Sequence, residues 1–274
     1  MYTMLCNLFN LYIKYHLIYE FVSFVKTTLM RYSNQSALYL YSPREGWVFS
    51  SIYQNKKEEN VWIEKSRLLQ LRSEITCFLE NTTFGLYIDR FELSRLRIYN
   101  IQGDVNNTGI DVVKYIGSET KKPLYWLYTL DNKESNIKIL EKLNQANPGV
   151  IVVDSSCQEE HTHQFVTQAK NILWKNKWVM FILTANNNVG YGKVRSVANY
   201  TLWIPNLPTP IVISKMYNTL LGGDDENDQT QFVKYFEHRK VSAWAIQNWL
   251  ITIGLRAEHK GIKVATILAT FEDM

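Results

Sequence analysis

The stretch of sequence that decides the fold, LRIYNIQGDVNNTGID, runs from residue 96 to residue 111. Its first part, Leu96 to Ile101, predicts a β-strand, and the apolar spacing from Ile110 to Ile116 predicts a helix. Between them lies a polar loop with a glycine at each end, Gly103 and Gly109. Glycines in such a loop let backbone N–H groups surround a phosphate at the positive end of the following helix. The sequence therefore predicts a phosphate-binding loop at this point.

Two later segments supply the polar residues that such a loop requires nearby. Residues 149–154 read GVIVVD, a continuously apolar strand that ends in Asp154. A carboxylate at this position commonly holds the Mg²⁺ of a bound nucleotide, so Asp154 is the predicted metal ligand. Residues 181–186 read FILTAN and place Asn186 at the carboxyl end of another strand, where α/β sheets bind their ligands.

Strands and helices alternate from Arg95 onward. Further strands are predicted at Leu124–Thr129 and Thr201–Ile204, and helices at Ser135–Asn144 and Glu159–Trp174. This alternation is typical of a three-layer α/β protein, in which helices cover both faces of a mostly parallel sheet. We expect the strand before Gly103 to be central and to lie next to the strand that ends in Asp154.

The regions on either side have a different pattern. Ala37–Ser42 and Trp47–Tyr53 predict a hairpin, and Val61–Leu79 has apolar residues at helical spacing. Near the C-terminus, Gln229–Ile253 predicts helix. We therefore divide the chain into an N-terminal α+β extension (residues 1–90), an α/β core (residues 91–221) and a mainly helical C-terminal part (residues 222–274).

In the order and spacing of these features, the core resembles the P-loop cores of retrotransposon hot spot proteins and Crinkler-type effectors, which belong to the P-loop NTPases. The resemblance covers Arg95 to Leu221 and includes the basic run between Asn188 and Tyr200 that leads to Trp203-Ile204-Pro205. It implies a site for ATP with Mg²⁺. The residues that we expect at such a site are Gly103, Asp104, Asn107, Gly109, Lys114, Asp154 and Asn186.

The loop departs from the pattern of an active P-loop, G-x-x-x-x-G-K-[ST]. Five residues separate Gly103 from Gly109 instead of four, and Ile110 and Asp111 stand where Lys and Ser/Thr belong. Asp111 would repel a phosphate. Lys114 is the nearest replacement cation, but it lies about one helical turn further along.

The segment after Asp154 also differs from that of an active P-loop NTPase, because Ser155 and Ser156 stand there instead of an acid that could position water. Phosphoryl transfer depends on positive charge and on a positioned nucleophile. Our leading hypothesis is therefore a degenerate P-loop domain without efficient hydrolysis, which acts as a binding or assembly module for a protein partner or for copies of itself.

Two alternatives remain open. The first is an active ATPase that uses displaced residues such as Lys114 and Glu159, with Lys193 and Arg195 reaching a γ-phosphate across a subunit interface. The second is an α/β enzyme that binds another phosphate-bearing ligand at the loop from Gly103 to Gly109.

Composition bears on the possible partners and the cellular compartment of the protein. The net charge of +4 is spread along the chain, which supports nucleic-acid binding only weakly. Three widely spaced cysteines fit a reducing, intracellular compartment. The apolar segment Met1–Met30 predicts a packed helix, because charged residues interrupt it and no uncharged membrane span is present.

Two other groups of residues have ordinary explanations. Cys157, His161 and His163 have the chemistry of a zinc set, but surface histidines at the start of a helix explain them better. The six tryptophans within predicted strands and helices are expected in the core: Trp126, Trp174, Trp178, Trp203, Trp244 and Trp249.

Overall fold

The computed structural model describes residues 37–53, 56–80, 90–91, 94–130, 133–185, 192–221 and 226–256. The predicted helix Met1–Met30 and the predicted site residue Asn186 lie outside these ranges. No helix in the described ranges is long and apolar enough to cross a membrane.

The strands are β1 (Ala37–Ser42), β2 (Gly46–Ile52), β3 (Leu96–Gly103), β4 (Leu124–Leu127), β5 (Val150–Val153), β6 (Trp178–Ala185) and β7 (Tyr200–Ile204). The helices are α1 (Lys65–Glu80), α2 (Ile110–Thr120), α3 (Lys133–Gln145), α4 (Glu159–Ile172), α5 (Gly192–Val197), α6 (Pro210–Leu221), α7 (Glu226–His238) and α8 (Ala243–Arg256). A 3₁₀ turn (Glu58–Asn60) precedes α1, and a π-helical turn (Val105–Gly109) joins β3 to α2.

All the described strands form one sheet in the order β2-β1-β4-β5-β6-β3-β7. Every pairing is parallel except that of β1 with β2. The sheet confirms the predicted mostly parallel α/β fold. Because β1 pairs with β4, the N-terminal hairpin and the core share this sheet.

The expected position of β3 next to β5 was wrong. β3 pairs with β6 and β7, and β6 lies between β3 and β5. Order along the chain does not fix order in a sheet, because the connection between two parallel strands can pass over a neighbour. β6 suits the position between them, since nearly all of its residues are buried.

Side chains that alternate along each strand form two cores, one on each face of the sheet. Tyr99 and Phe181 pack on the face covered by α1 and α2, whereas Ile98 and Met180 pack on the face covered by α3 and α4. The predicted arrangement of three layers is therefore present.

The C-terminal helices have a core of their own, which includes Ile213, Phe232 and Trp249 together with Trp62 from the segment before α1. The sequence analysis did not predict α6, because the helix begins at Pro210, a residue type that commonly ends regular structure. Proline fits the first position of a helix, where its missing N–H is not needed. The predicted helix Gln229–Ile253 is divided in two, and Ser242 caps α8 through a hydrogen bond from Ala245 N to its Oγ (3.2 Å).

The prediction that six tryptophans pack in the core was wrong for three of them. Trp126, Trp178 and Trp249 are buried, but Trp174, Trp203 and Trp244 are 61%, 45% and 51% exposed. Trp174 follows the end of α4, and Trp203 points away from the core on the edge strand β7. The residue type gave the apolar area of each side chain but not the face on which it lies.

Candidate functional site

β3 ends in close contact with β7. Gly103 has φ +119°, and a Cβ on it would lie 1.7 Å from the carbonyl oxygen of Ile204. The next residue, Asp104, donates its backbone N–H to the same oxygen at 3.2 Å. Only glycine fits this conformation and this approach, so Gly103 holds the turn against the edge strand.

The predicted polar loop is a helical turn. Gly109 N donates to Asp104 O at 2.9 Å across five residues, and Gly109 has ordinary helical angles (φ −62°, ψ −44°) at the start of α2. The extra residue between the two glycines is accommodated by this wider π turn. The backbone N–H of Gly109 is thereby already bonded within the protein.

The side chain of Asp104 accepts hydrogen bonds inside the turn. Its Oδ1 accepts from Asn107 Nδ2 at 3.1 Å, and its Oδ2 accepts from Thr108 Oγ1 at 2.9 Å. A carboxylate thus takes up side-chain donors that a phosphate would use. It also brings negative charge to the predicted phosphate position.

Asp111 adds a second carboxylate in the first turn of α2. Lys56 Nζ lies 3.0 Å from Asp111 Oδ2. Burial nevertheless raises the pKa of Asp111, and the nearby charges of Lys56 and Lys114 only oppose this rise. Lys114, the predicted replacement cation, is partly buried one turn further along and lies in the field of Asp111.

Asp154 lies at the end of β5, as predicted, and both of its carboxylate oxygens accept hydrogen bonds. Oδ2 accepts from Trp126 Nε1 at 3.0 Å. Oδ1 accepts from the backbone N–H and from Oγ of Ser156, each at 3.0 Å. A Mg²⁺ ion at Asp154 would have to compete with these three donors.

The zinc set was not favoured from the sequence, and its members have other partners. The Cys157 thiol is buried and donates to Leu127 O at 3.7 Å, while His161 Nδ1 lies 2.8 Å from Leu130 O. Across the described ranges, no group of three or more His, Cys, Asp or Glu side chains could hold a metal ion.

The turns after β3 and β5 are in contact, since Ser155 Oγ donates to Asn106 Oδ1 at 3.2 Å. The turn with Asp104 and Asn107 and the turn that follows Asp154 therefore lie at the same edge of the sheet, whereas Lys114 lies further along, within α2. β6 ends at Ala185, one residue before Asn186, which lies outside the described ranges.

The displaced catalytic groups of the active-ATPase alternative face partners in their own chain. Glu159 Oε1 accepts the backbone N–H of Lys193 at 2.9 Å. Arg195 Nε donates to Gln102 Oε1 at 3.1 Å, and Arg195 Nη2 contacts the same oxygen. These contacts tie the first turn of α4 and the end of β3 to α5.

A cleft next to the π turn was missed by the sequence analysis. It has a volume of about 270 Å³ and lies between the segment before α1, the end of β7 and the C-terminal helices. Trp62, Thr108, Trp203 and Val212 are among the residues that line it. Trp203, in the predicted strand Thr201–Ile204, could have indicated the cleft if the sequence showed in which direction its side chain points.

No family model and no curated protein matches this chain. Solved structures do match. The structure of Rhizobiales Trip13 aligns with a TM-score of 0.54 at 13% identity, covering 74% of this chain and 87% of that one. The structure of C. elegans PCH-2 aligns with a TM-score of 0.56 at 12% identity, covering 77% of this chain and 68% of that one.

At these identities the likeness concerns the fold alone. What the chain shares with these structures is the mostly parallel α/β sheet covered by helices on both faces. The resemblance to retrotransposon hot spot and Crinkler-type proteins finds no support in a family match and stays a prediction.

Proposed function

We propose that this chain is a degenerate P-loop module that binds or assembles with a partner and does not hydrolyse nucleotides efficiently. The observation that carries the proposal is the carboxylate of Asp104, which accepts hydrogen bonds from Asn107 and Thr108 inside the turn where a phosphate would bind.

Electrostatics support the proposal. Phosphoryl transfer requires positive charge around the transferred group, because the protein contributes mainly placement and charge stabilisation. Here the turn and the first helical residues carry two carboxylates, Asp104 and Asp111, and Ile110 stands where the pattern has lysine. The one cation on the same stretch, Lys114, interacts with Asp111.

The metal position gives a second line of support. Asp154 has both carboxylate oxygens bonded to Trp126 and Ser156, so Mg²⁺ binding there would break existing hydrogen bonds. Glu159, the acid of the active alternative, accepts from the backbone of Lys193. We therefore expect any ATP binding to be weak and only slightly dependent on Mg²⁺.

We further propose that the partner is a protein, either another polypeptide or a second copy. Exposed apolar side chains support this: Trp203, Leu207, Ile211 and Trp244 are each at least 44% exposed. A nucleic-acid partner has only the spread net charge of +4 in its favour. Within the described residues, Cys77 and Cys157 form no disulfide, which is consistent with the proposed intracellular setting.

The test measures ATP binding with and without Mg²⁺, together with phosphate release. We expect phosphate release no faster than in the blank, both for the wild type and for Asp154→Ala. Asp104→Asn should bind ATP more tightly than the wild type, because it removes one negative charge from the turn. Glu237→Gln, which removes a charge from the exposed face of α7, is the matched control and should leave binding unchanged.

Magnesium-dependent turnover that disappears in Asp154→Ala would establish the active ATPase instead. Equal ATP affinity in Asp104→Asn and Glu237→Gln would show that the Asp104 carboxylate does not exclude phosphate.

A further inference from the structure

The cleft beside the π turn is apolar on most of its surface, and Arg67, the cation among its lining residues, faces Glu64. Trp62, Trp203 and Thr108 are among the residues that line the cleft, and Thr108 Oγ1 donates to the Asp104 carboxylate. We propose that this cleft binds an uncharged planar aromatic ligand of about the size of a nucleoside, with no phosphate attached. The inference rests on the proposed function, because it takes the turn to be closed to phosphate.

The walls fit an aromatic ring. Trp62 is 5% exposed, and its Nε1 donates to Gln247 Oε1 at 2.6 Å, so this indole is a fixed wall. Trp203 is 45% exposed and can stack on an incoming ring. Ile63, Ile204 and Pro205 add further apolar surface.

Volume limits the size of the ligand. The cleft holds about 270 Å³, whereas sites for drug-sized ligands usually span about 300 to 1,000 Å³. A fused ring system with a small substituent fits this space, and a long triphosphate tail would have to leave it. A phosphate group on the Thr108 side of the cleft would come near the Asp104 carboxylate, because Thr108 Oγ1 donates to Asp104 Oδ2 at 2.9 Å.

The charges in the wall cancel. The guanidinium of Arg67 lies with its Nε 3.6 Å from Glu64 Oε2, and its Nη1 donates to the backbone carbonyl of Trp203 at 3.3 Å. An anionic ligand would therefore gain little from Arg67, which already has partners, and would be repelled by the Asp104 carboxylate. A neutral ligand can instead donate ring N–H groups to Glu64 or to the Thr108 hydroxyl oxygen.

The experiment compares ligands that share one ring and differ only in phosphate. Adenosine and guanosine are titrated against the full-length protein by calorimetry, in parallel with AMP and with ATP plus Mg²⁺. We expect the nucleosides to bind at least about tenfold more tightly than ATP, since placing a phosphate near a carboxylate costs at least about 1.4 kcal/mol.

Two variants test whether the nucleoside binds in the cleft. Trp203→Ala should weaken nucleoside binding about tenfold by removing one stacking surface. Ala243→Trp should abolish binding by filling the cleft. Trp174→Ala, which removes an exposed tryptophan that does not line the cleft, is the matched control and should bind as the wild type does.

Three results would overturn the inference: ATP binding more tightly than adenosine and guanosine, no nucleoside binding at millimolar concentration, or nucleoside binding that neither Trp203→Ala nor Ala243→Trp weakens. The proposed function fails separately, through phosphate release from ATP. A protein that releases no phosphate and binds no nucleoside contradicts only the inference about the cleft.

Discussion

Ser155 Oγ donates a hydrogen bond of 3.2 Å to Asn106 Oδ1, and this bond joins the turns that follow two strands separated in the sheet by β6. The turns meet beyond the end of β6 because their strands are parallel and finish at the same edge. Asp104 in one turn and Asp154 in the other are each held by donors from their own turn. The polar side chains at this edge are therefore hydrogen-bonded to one another.

We expect Gly103→Ala to destabilise the protein by roughly 3 kcal/mol or more, because it combines a positive φ with a steric clash. The new Cβ would meet the carbonyl of Ile204, a backbone atom that cannot move without disturbing the pairing of β3 with β7. Urea unfolding of the variant and the wild type measures the difference.

Gly192→Ala is the matched control. Among the described residues, no atom outside the chain neighbours and the helix backbone lies within 4 Å of the Cβ position at Gly192, which begins α5. Alanine should therefore be neutral there or stabilise the helix by about 0.5–1 kcal/mol. Equal stability losses in the two variants would refute a special role for the contact between Gly103 and Ile204.

Local sequence predicted the elements of the core well. Val150–Val153 is a strand within the predicted stretch 149–154, because a short, wholly apolar run suits a strand buried on both faces. Asp154 follows it as expected. The hairpin of β1 and β2 was equally readable, since Pro43-Arg44-Glu45-Gly46 marks its turn and Gly46 has a positive φ of +86°.

Contacts between residues that are far apart in the sequence could not be predicted from local sequence patterns. The place of β6 between β3 and β5 depends on how the connection crosses the sheet, and no single segment contains that information. The bonds within the Asp104 turn arise because an extra residue makes the turn π-helical, whereas the sequence indicated only an imperfect glycine loop. The cleft combines residues from segments as distant as Trp62 and Ala243.

Asp111 should make stability depend on pH. Burial raises its pKa above the ordinary 3.8, so between the two pKa values the folded state binds more protons than the unfolded state. Stability from this group is therefore full below about pH 3.8 and falls as pH rises through the raised pKa. Asp111→Asn should gain stability relative to the wild type over this window and keep the gain above it.

Urea unfolding of the wild type and Asp111→Asn from pH 3.5 to pH 8 tests this sign. The ion pair with Lys56 lowers the pKa of Asp111 and so opposes burial, but burial has the larger effect and the pKa is raised. A stability difference that is constant with pH, or one that moves in favour of the wild type, would contradict the prediction.

Lys215 links α6 to the segment before α1 by hydrogen bonds. Its Nζ donates to the carbonyl oxygens of Glu58 and Val61, both at 2.8 Å. Lys215→Met should cost about 2 kcal/mol of unfolding free energy, because two backbone acceptors lose a charged donor. Thermal unfolding provides the measurement.

Lys234→Met is the control for Lys215→Met, since it makes the same substitution at an exposed position of α7. It should change stability by less than about 0.5 kcal/mol. If both methionine variants unfold at the same temperature, the bonds made by Lys215 contribute nothing measurable.

Trp126 and Asp154 should be energetically coupled. The indole Nε1 donates to the Asp154 carboxylate at 3.0 Å, and Trp126 is only 4% exposed. A double-mutant cycle with Trp126→Phe and Asp154→Ala should give a coupling of about 2 kcal/mol, as for a hydrogen bond to a charged group. Phenylalanine keeps most of the ring packing, so the coupling isolates the bond.

Trp178→Phe supplies the control cycle with Asp154→Ala. Trp178 is fully buried, and its Nε1 has no hydrogen-bond partner among the described residues. It begins β6 beside the start of β5, since Val179 pairs with Val150, and is therefore about 16 Å from Asp154 along the strand direction. The two substitutions should be additive within about 0.5 kcal/mol. A coupling as large in this cycle as in the cycle with Trp126 would mean that Asp154 acts through general packing rather than through the indole bond.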